Sequence, residues 1–339
     1  MKIEDLKDWY IKNEKLYFVS LELTQQCNFK CKHCYCTGKN EAILDYDIWK
    51  EIIDKIAQTE CIFLNFTGGE ILTHKDFKKI YAYAKDKGFV VELLTNGSLI
   101  DEEMISFFKD LPPRNVAITL YGTNEKEYAE FTGMKDGLKK VMKALYLLKE
   151  NQIKFTLRTI ATKTFYDSLK NGSFEEIAKK FEVPFMYDPI IFPQISGNVT
   201  PLEERLTAEQ IADLEASNDF RKSSWEKLIN DNSVFSWKCR AGVSSVAIDF
   251  QGNAFVCGLY RKFPISVIES NLESVLGHLR KIHQTHTKIV ETNECAKCSN
   301  RYICKWCPAY AQIYNSGNES RKIEFLCDLA NARMEKFKN

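Results

Sequence analysis

Six short apolar runs, each bounded by turn residues and separated from the next by a stretch of helical period, set the strongest limit on how this chain can fold. The runs are YFVSLEL (Tyr17 to Leu23), CIFLNFT (Cys61 to Thr67), VVELLT (Val90 to Thr95), VAITLY (Val116 to Tyr121), KFTLRTI (Lys154 to Ile160) and FMYDPII (Phe185 to Ile191). Between them lie DIWKEIIDKIAQ, KDFKKIYAYAKDKG, DEEMISFFKD, GLKKVMKALYLLKEN and SFEEIAKKF. The short runs read as strands and the amphipathic stretches as helices. Strand and helix in strict alternation imply a parallel sheet, either open and doubly wound or curled as part of a barrel. In both arrangements ligands bind where the strands end at their carboxyl termini.

Three unusual loops follow three successive strands: TQQCNFKCKHCYC, TGGE (Thr67 to Glu70) and TNG (Thr95 to Gly97). A Gly-Gly or Asn-Gly pair by itself is ordinary turn chemistry. Their joint placement at the ligand-binding ends makes them candidate functional loops.

The 339 residues suffice for one large domain of about 200 to 250 residues and a smaller one. With 47 Lys and Arg against 46 Asp and Glu, the formal charge of +1 offers no electrostatic case for nucleic acid. The first residues lack the apolar core of a signal peptide, and no run of 18 apolar residues suggests a membrane span. A cytoplasmic protein is expected, in which twelve cysteines are better read as metal or redox ligands than as six disulfides. They fall in two groups: four lie between Cys27 and Cys36, Cys61 stands alone, and seven lie between Cys239 and Cys327.

In the first group Cys27, Cys31 and Cys34 are spaced C-x3-C-x2-C with no second pair nearby to complete a zinc site. Three thiolates on a 4Fe-4S cluster leave one iron open to a small molecule. This spacing after the first strand, with GGE after the second, resembles the radical S-adenosylmethionine superfamily. The resemblance implies a partial (β/α)6 TIM-like barrel in an α/β chain, with Cys27, Cys31 and Cys34 holding the cluster whose open iron binds S-adenosylmethionine. It also implies that Gly68, Gly69 and Glu70 meet the methionyl amino group and that His33 lies by the adenine. Asn96 is expected close to the cofactor, Thr119 by the ribose and Arg158 by the methionyl carboxylate. A charge inside an apolar strand calls for a partner, so an acidic neighbour is the other reading of Arg158.

The C-terminal cysteines, Cys239 to Cys257 with Gly252 between, then CAKCSNRYICKWC and Cys327, read locally as a zinc ribbon of Cys295, Cys298, Cys304 and Cys307. As a whole they resemble the SPASM domain, a cysteine-rich auxiliary iron-sulfur domain of peptide- and protein-maturing members of that superfamily. One residue is missing between Cys304 and Cys307 relative to the usual spacing. The resemblance implies two auxiliary 4Fe-4S clusters, three clusters in all: an outer one on Cys295, Cys298, Cys304 and Cys327, and an inner one on Cys239, Cys257 and Cys307. The expected organisation is an N-terminal extension over 1–16, the barrel over 17–199, a helical linker over 200–235 and the SPASM domain over 236–339. Cys36 is a candidate hydrogen-atom donor, and Asp249 a candidate acid-base residue with turn chemistry as the alternative. His278, His283 and His286 fall in a helix-like stretch and read as a polar face.

The resemblance implies an enzyme that cleaves S-adenosylmethionine to a 5'-deoxyadenosyl radical and abstracts hydrogen from a ribosomally made precursor peptide. A thioether or carbon-carbon crosslink is the first expectation. Alternatives are epimerisation, sulfatase-maturase-like or small-molecule chemistry, and a zinc-ribbon binding module with an inactive barrel. Expected partners are a flavodoxin- or ferredoxin-type electron donor and a separate leader-peptide-binding protein, since some sixteen residues before the first strand are few for a recognition domain.

Overall fold

A computed structural model of the chain describes residues 3–36, 43–230, 235 and 237–338, the side chains of residues 3–5 excepted. Six parallel strands form its first part: β1 (Phe18–Thr24), β2 (Phe63–Gly68), β3 (Val90–Thr95), β4 (Asn115–Thr119), β5 (Phe155–Ile160) and β6 (Phe185–Asp188). They lie side by side in chain order, with helices as crossovers, in the sequential arrangement of a partial barrel. β6 ends earlier than the apolar run, because Pro189 removes a backbone donor and fixes the chain direction.

The sheet does not stop at the linker. β7 (Ser245–Ile248) pairs in parallel with β1, and β8 (Asn253–Phe255) and β9 (Ile265–Ser266) add antiparallel strands beyond it. The order is therefore β6-β5-β4-β3-β2-β1-β7-β8-β9. Between the two parts, within the stretch read as a helical linker, run two helices, Ala208–Ser217 and Asp219–Asn230. The first is tied to the final helix, Glu324–Phe337, by a buried bidentate pair, Glu215 with Arg333 (2.7 and 2.8 Å).

Alternation along β1 sends Val19, Leu21 and Leu23, all fully buried, towards the helices, each stabilising the fold by about 1.5–3 kcal/mol. The alternate residues Ser20, Glu22 and Thr24 face the barrel interior. Ser20, Asn65, Glu92 and Asn115 form one lateral row across β1 to β4. A barrel interior is normally filled with branched apolar side chains. Here it is polar, and Glu22 Oε2, Asn65 Oδ1, Asn115 Oδ1 and Arg158 Nε are buried without hydrogen-bond partners. Such atoms are costly unless a polar ligand satisfies them.

One helix absent from the sequence reading, Glu125–Thr132, bears directly on the first cysteine loop. Asn124 caps its start and Gly133, at φ 71°, ends it. The Thr132 and Phe131 carbonyls accept from the backbone N–H groups of Lys30 (2.8 Å) and Lys32 (3.1 Å).

Candidate active site

The loops after β1, β2 and β3 converge. Thr24 O accepts from Gly69 N–H (2.7 Å) and Gln26 O from Glu70 N–H (2.8 Å), so TGGE lies against the base of the cysteine loop. A Cβ on Gly68, whose φ is +137°, would sit 2.1 Å from Thr24 O, and one on Gly69 2.2 Å from Gln26 O. Only glycine permits this approach.

Glu70 is engaged by donors of the protein itself. It is fully buried, with Oε1 accepting from Thr95 Oγ1 (2.7 Å) and Leu72 N–H (3.0 Å) and Oε2 from Asn96 N–H (2.7 Å). Its carboxylate fastens the β2 loop to the β3 loop. Burial raises its pKa, and these three donors oppose the rise.

Cys27, Cys31 and Cys34 are free thiols near enough to feel one another's charge. The Cys27 sulfur is sunk among neighbouring loops, which pushes its thiol up to about 11, and burial likewise raises Cys31. Cys34 is brought down to about 7, chiefly by a hydrogen bond from Cys36. Buried thiols of this kind become thiolates when a metal displaces their protons. Among the described residues no three His, Cys, Asp or Glu close on a single-ion site. An all-thiol donor set at the mouth of a polar barrel with unpartnered interior atoms fits a 4Fe-4S cluster with S-adenosylmethionine beside it.

His33 stacks on Phe131 (5.2 Å, 16°) and lies 5.5 Å from Tyr121. Burial lowers its imidazole to about 4, so the ring is neutral at neutral pH. Thr119 and Arg158 are direct neighbours across β4 and β5. Arg158 has an acidic neighbour, Glu92, at 3.5 Å, while its buried Nε stays unpartnered. Asn96 reaches the cluster loop, bonding Asn28 Oδ1 (2.9 Å). Cys36 is buried, 3.8 Å from the Gly68 carbonyl. Asp249 takes the turn alternative: its Oδ1 accepts from the N–H groups of Gln251 (3.0 Å) and Asn253 (2.9 Å), closing the β7–β8 turn. The three helix histidines do not converge. His278 meets Phe263 O, His283 meets Ala241 O, and His286 packs edge-on against Tyr260.

The C-terminal thiols divide into two groups. Cys295, Cys298, Cys304 and Cys327 line one cavity of about 60 Å³ beside Arg301 and Trp306. Cys307 stands apart from that cavity; it senses Cys257 and Cys239 electrostatically, and burial pushes its thiol up to about 12. The local zinc-ribbon grouping of Cys307 with Cys295, Cys298 and Cys304 is therefore not the spatial one. A second cavity of about 510 Å³, whose lining includes Arg158, Met186, Asp188, Trp225, Tyr310 and Cys307, runs from the ends of β5 and β6 to the inner thiol.

A further buried pair escaped the sequence reading. Glu22, 2% exposed on β1, binds Arg261, which lies after β8, and Cys36 and Tyr35 lie within their field. The signal was the one that marked Arg158, a charge inside an apolar strand.

A parallel barrel with three thiols after its first strand and a Gly-Gly-Glu loop after its second defines a class of iron-sulfur enzymes that use S-adenosylmethionine. Residues 21–179 match the profile of the Radical SAM superfamily, and that part of the chain is a Radical SAM domain. It is 34% identical over 148 residues to the Fe-coproporphyrin III synthase of Methanosarcina barkeri, an alignment covering 43% of this chain and 37% of that protein. The subtilosin biosynthesis protein AlbA of Bacillus subtilis is 31% identical over 137 residues, 40% of this chain and 31% of the relative. The chain thus spans well under half the length of these two curated relatives. An AdoMet-dependent heme synthase of Nitratidesulfovibrio vulgaris aligns over 93% of both chains at 24% identity. Among solved structures, Streptococcus suis SuiB bound to precursor peptide SuiA superposes with a TM-score of 0.70 at 16% identity, covering 89% of this chain and 74% of that one. Native anSMEcpe with bound AdoMet gives 0.70 at 17% identity, over 94% and 96%. At such identities these two show a shared fold. Among the described residues no helix is long and apolar enough to cross a membrane.

Proposed function

We propose that this radical SAM enzyme modifies a ribosomally made precursor peptide, forming a thioether or carbon-carbon crosslink, with two auxiliary 4Fe-4S clusters besides the one at Cys27, Cys31 and Cys34. The observation that carries this reading is the cavity joining Arg158, on β5 next to Thr119, to Cys307 of the inner thiol group. The four-thiol set Cys295, Cys298, Cys304 and Cys327 suits a fully ligated outer cluster, and Cys239, Cys257 and Cys307 an inner one with an open iron. The SuiB fold, crystallised with a precursor peptide, and the AlbA similarity support a peptide substrate.

When bound, the first cluster and S-adenosylmethionine together supply a 5'-deoxyadenosyl radical that takes hydrogen from a substrate carbon. The chain's own task is positioning. Gly68 and Gly69 hold their loop against the cysteine loop, Glu70 ties it to Asn96, and the polar interior of β1 to β5 receives the cofactor. Arg158 offers an unpartnered N–H to a carboxylate. Aromatic Tyr121 and Phe131 wall the side where His33 lies. A flavodoxin- or ferredoxin-type donor and a separate leader-binding protein complete the reading.

The test is anaerobic reconstitution, with assays for iron, sulfide and 5'-deoxyadenosine, followed by mass spectrometry of candidate peptides. Loss of two hydrogens marks a crosslink, whereas a mass unchanged in ordinary water but raised by solvent deuterium in heavy water marks epimerisation. No 5'-deoxyadenosine under a strong reductant would sink the reading. The alignment with a heme synthase over 93% of both chains favours one second reading, a tetrapyrrole substrate, which the same assay tests with porphyrin in place of peptide.

A further inference from the structure

One thiol of the first cysteine loop meets two hydrogen-bond donors. Cys27 Sγ lies 3.4 Å from the Phe29 backbone N–H and 3.8 Å from the Asn96 carboxamide Nδ2. Cys36 Sγ, in the same loop, turns to the Gly68 carbonyl (3.8 Å).

The Asn96 donor is firmly held. Its Oδ1 accepts from the Ser98 backbone N–H (2.9 Å) and Ser98 Oγ (2.7 Å). Because a backbone N–H can only donate, this bond fixes which end of the carboxamide is oxygen and leaves the NH2 group towards Cys27. The NH2 group also bonds Asn28 Oδ1 (2.9 Å), and Asn28 Nδ2 reaches Ser98 Oγ (2.8 Å), which closes the ring. The Asn96 backbone N–H is held by Glu70. With 5% of its surface exposed, the residue has no freedom to turn its donor away.

We propose that Asn96 sets the reduction potential of the iron-sulfur cluster held by Cys27, Cys31 and Cys34. A hydrogen bond to a ligand sulfur draws charge off the centre and favours its reduced, more negative form, which raises the potential. The step concerned is the arrival of one electron from a flavodoxin- or ferredoxin-class donor, with no bond made or broken. Asn96 is then a positioning and tuning residue directed at the cluster, beyond its placement near S-adenosylmethionine. The inference rests on the cluster being there.

The test is an EPR-monitored redox titration of the full reconstituted chain, with iron and sulfide counted for each variant. The signal that changes when S-adenosylmethionine is added belongs to this cluster. At the wild-type midpoint the ratio of reduced to oxidised cluster is expected to fall severalfold in Asn96→Ala. It falls further in Asn96→Asp, which replaces the donor by an anion. Unchanged midpoints in Asn96→Ala, with full iron, overturn the proposal. So does a loss of S-adenosylmethionine affinity at unchanged potential, which would make Asn96 a cofactor contact only. Should Asn96→Ala fail to assemble its cluster, Asn96→Asp, which keeps the side chain's size, decides alone, and an unchanged midpoint there overturns the proposal. A wild-type chain with no S-adenosylmethionine-responsive signal would overturn the cluster reading itself.

Discussion

The two cysteine-rich regions of this molecule are built by opposite means. Cys27, Cys31 and Cys34 share one short loop at the end of a buried strand, and their neighbours TGGE and TNG come from the next two strands of the same sheet. The C-terminal thiols are gathered from a loop before β7, the segment after β8, two short turns and the final helix. The first site is specified by local sequence on a rigid platform, the second by tertiary packing. Damage to the first should be chemical and damage to the second partly conformational.

The largest effect expected is from Cys31→Ala, which should abolish 5'-deoxyadenosine formation while C-terminal iron is retained; iron analysis beside the activity assay reads both. Cys307→Ala should remove the peptide product yet leave uncoupled 5'-deoxyadenosine formation, and it should deplete a different centre from Cys327→Ala. Identical iron and spectroscopic losses in those two variants would break the division of the C-terminal thiols. Arg333→Met leaves the buried Glu215 carboxylate only the more distant Arg221 (3.8 Å) and should cost about 3 kcal/mol in urea unfolding. In Gly69→Ala the new methyl meets Gln26 O, so a loss of about 1–3 kcal/mol is expected, with cluster loading impaired at the first site only.

The smallest effect concerns pH. Burial lowers His286 to about 4, below its unfolded value, so the unfolded chain binds the extra proton first as pH falls. The contribution of neutral His286 is complete above about pH 6.5 and is lost as pH falls towards 4. His286→Gln should flatten that limb of the stability profile without changing the alkaline side, as urea titrations across the range would show.

The strands were legible because alternation and turn residues are local signals: Val90–Thr95 is the same in the sequence and in the fold. The helix Glu125–Thr132 was not, since it buries only Tyr128, Phe131 and Thr132 and has little apolar period to read. The approach of Gly68 and Gly69 to Thr24 and Gln26 was not legible either, because those partners belong to another loop. The Glu70 carboxylate looked free for a ligand because its donors, Thr95 and Asn96, belong to another loop. Arg261 finds Glu22 across 239 positions of sequence. Local spacing alone would have taken Cys307 for Cys327, and only a resemblance spanning the whole cysteine set pointed to the grouping that the cavity displays.

The parallel pairing of β7 with β1, from Phe18 opposite Ser245 to Leu21 opposite Ile248, ties the two cysteine regions to one ladder. One strand runs into the first cysteine loop, and the other turns through Gly252 into the segment bearing Cys257. Two hydrogen-bonded strands cannot slide past each other without breaking every rung between them. The separation between the two cysteine centres is therefore a property of the backbone ladder, like the gap between tracks on a single sleeper. On the proposed reading, a substrate that entered between them would meet a fixed gauge, and the motion that admits it would come from elsewhere in the molecule.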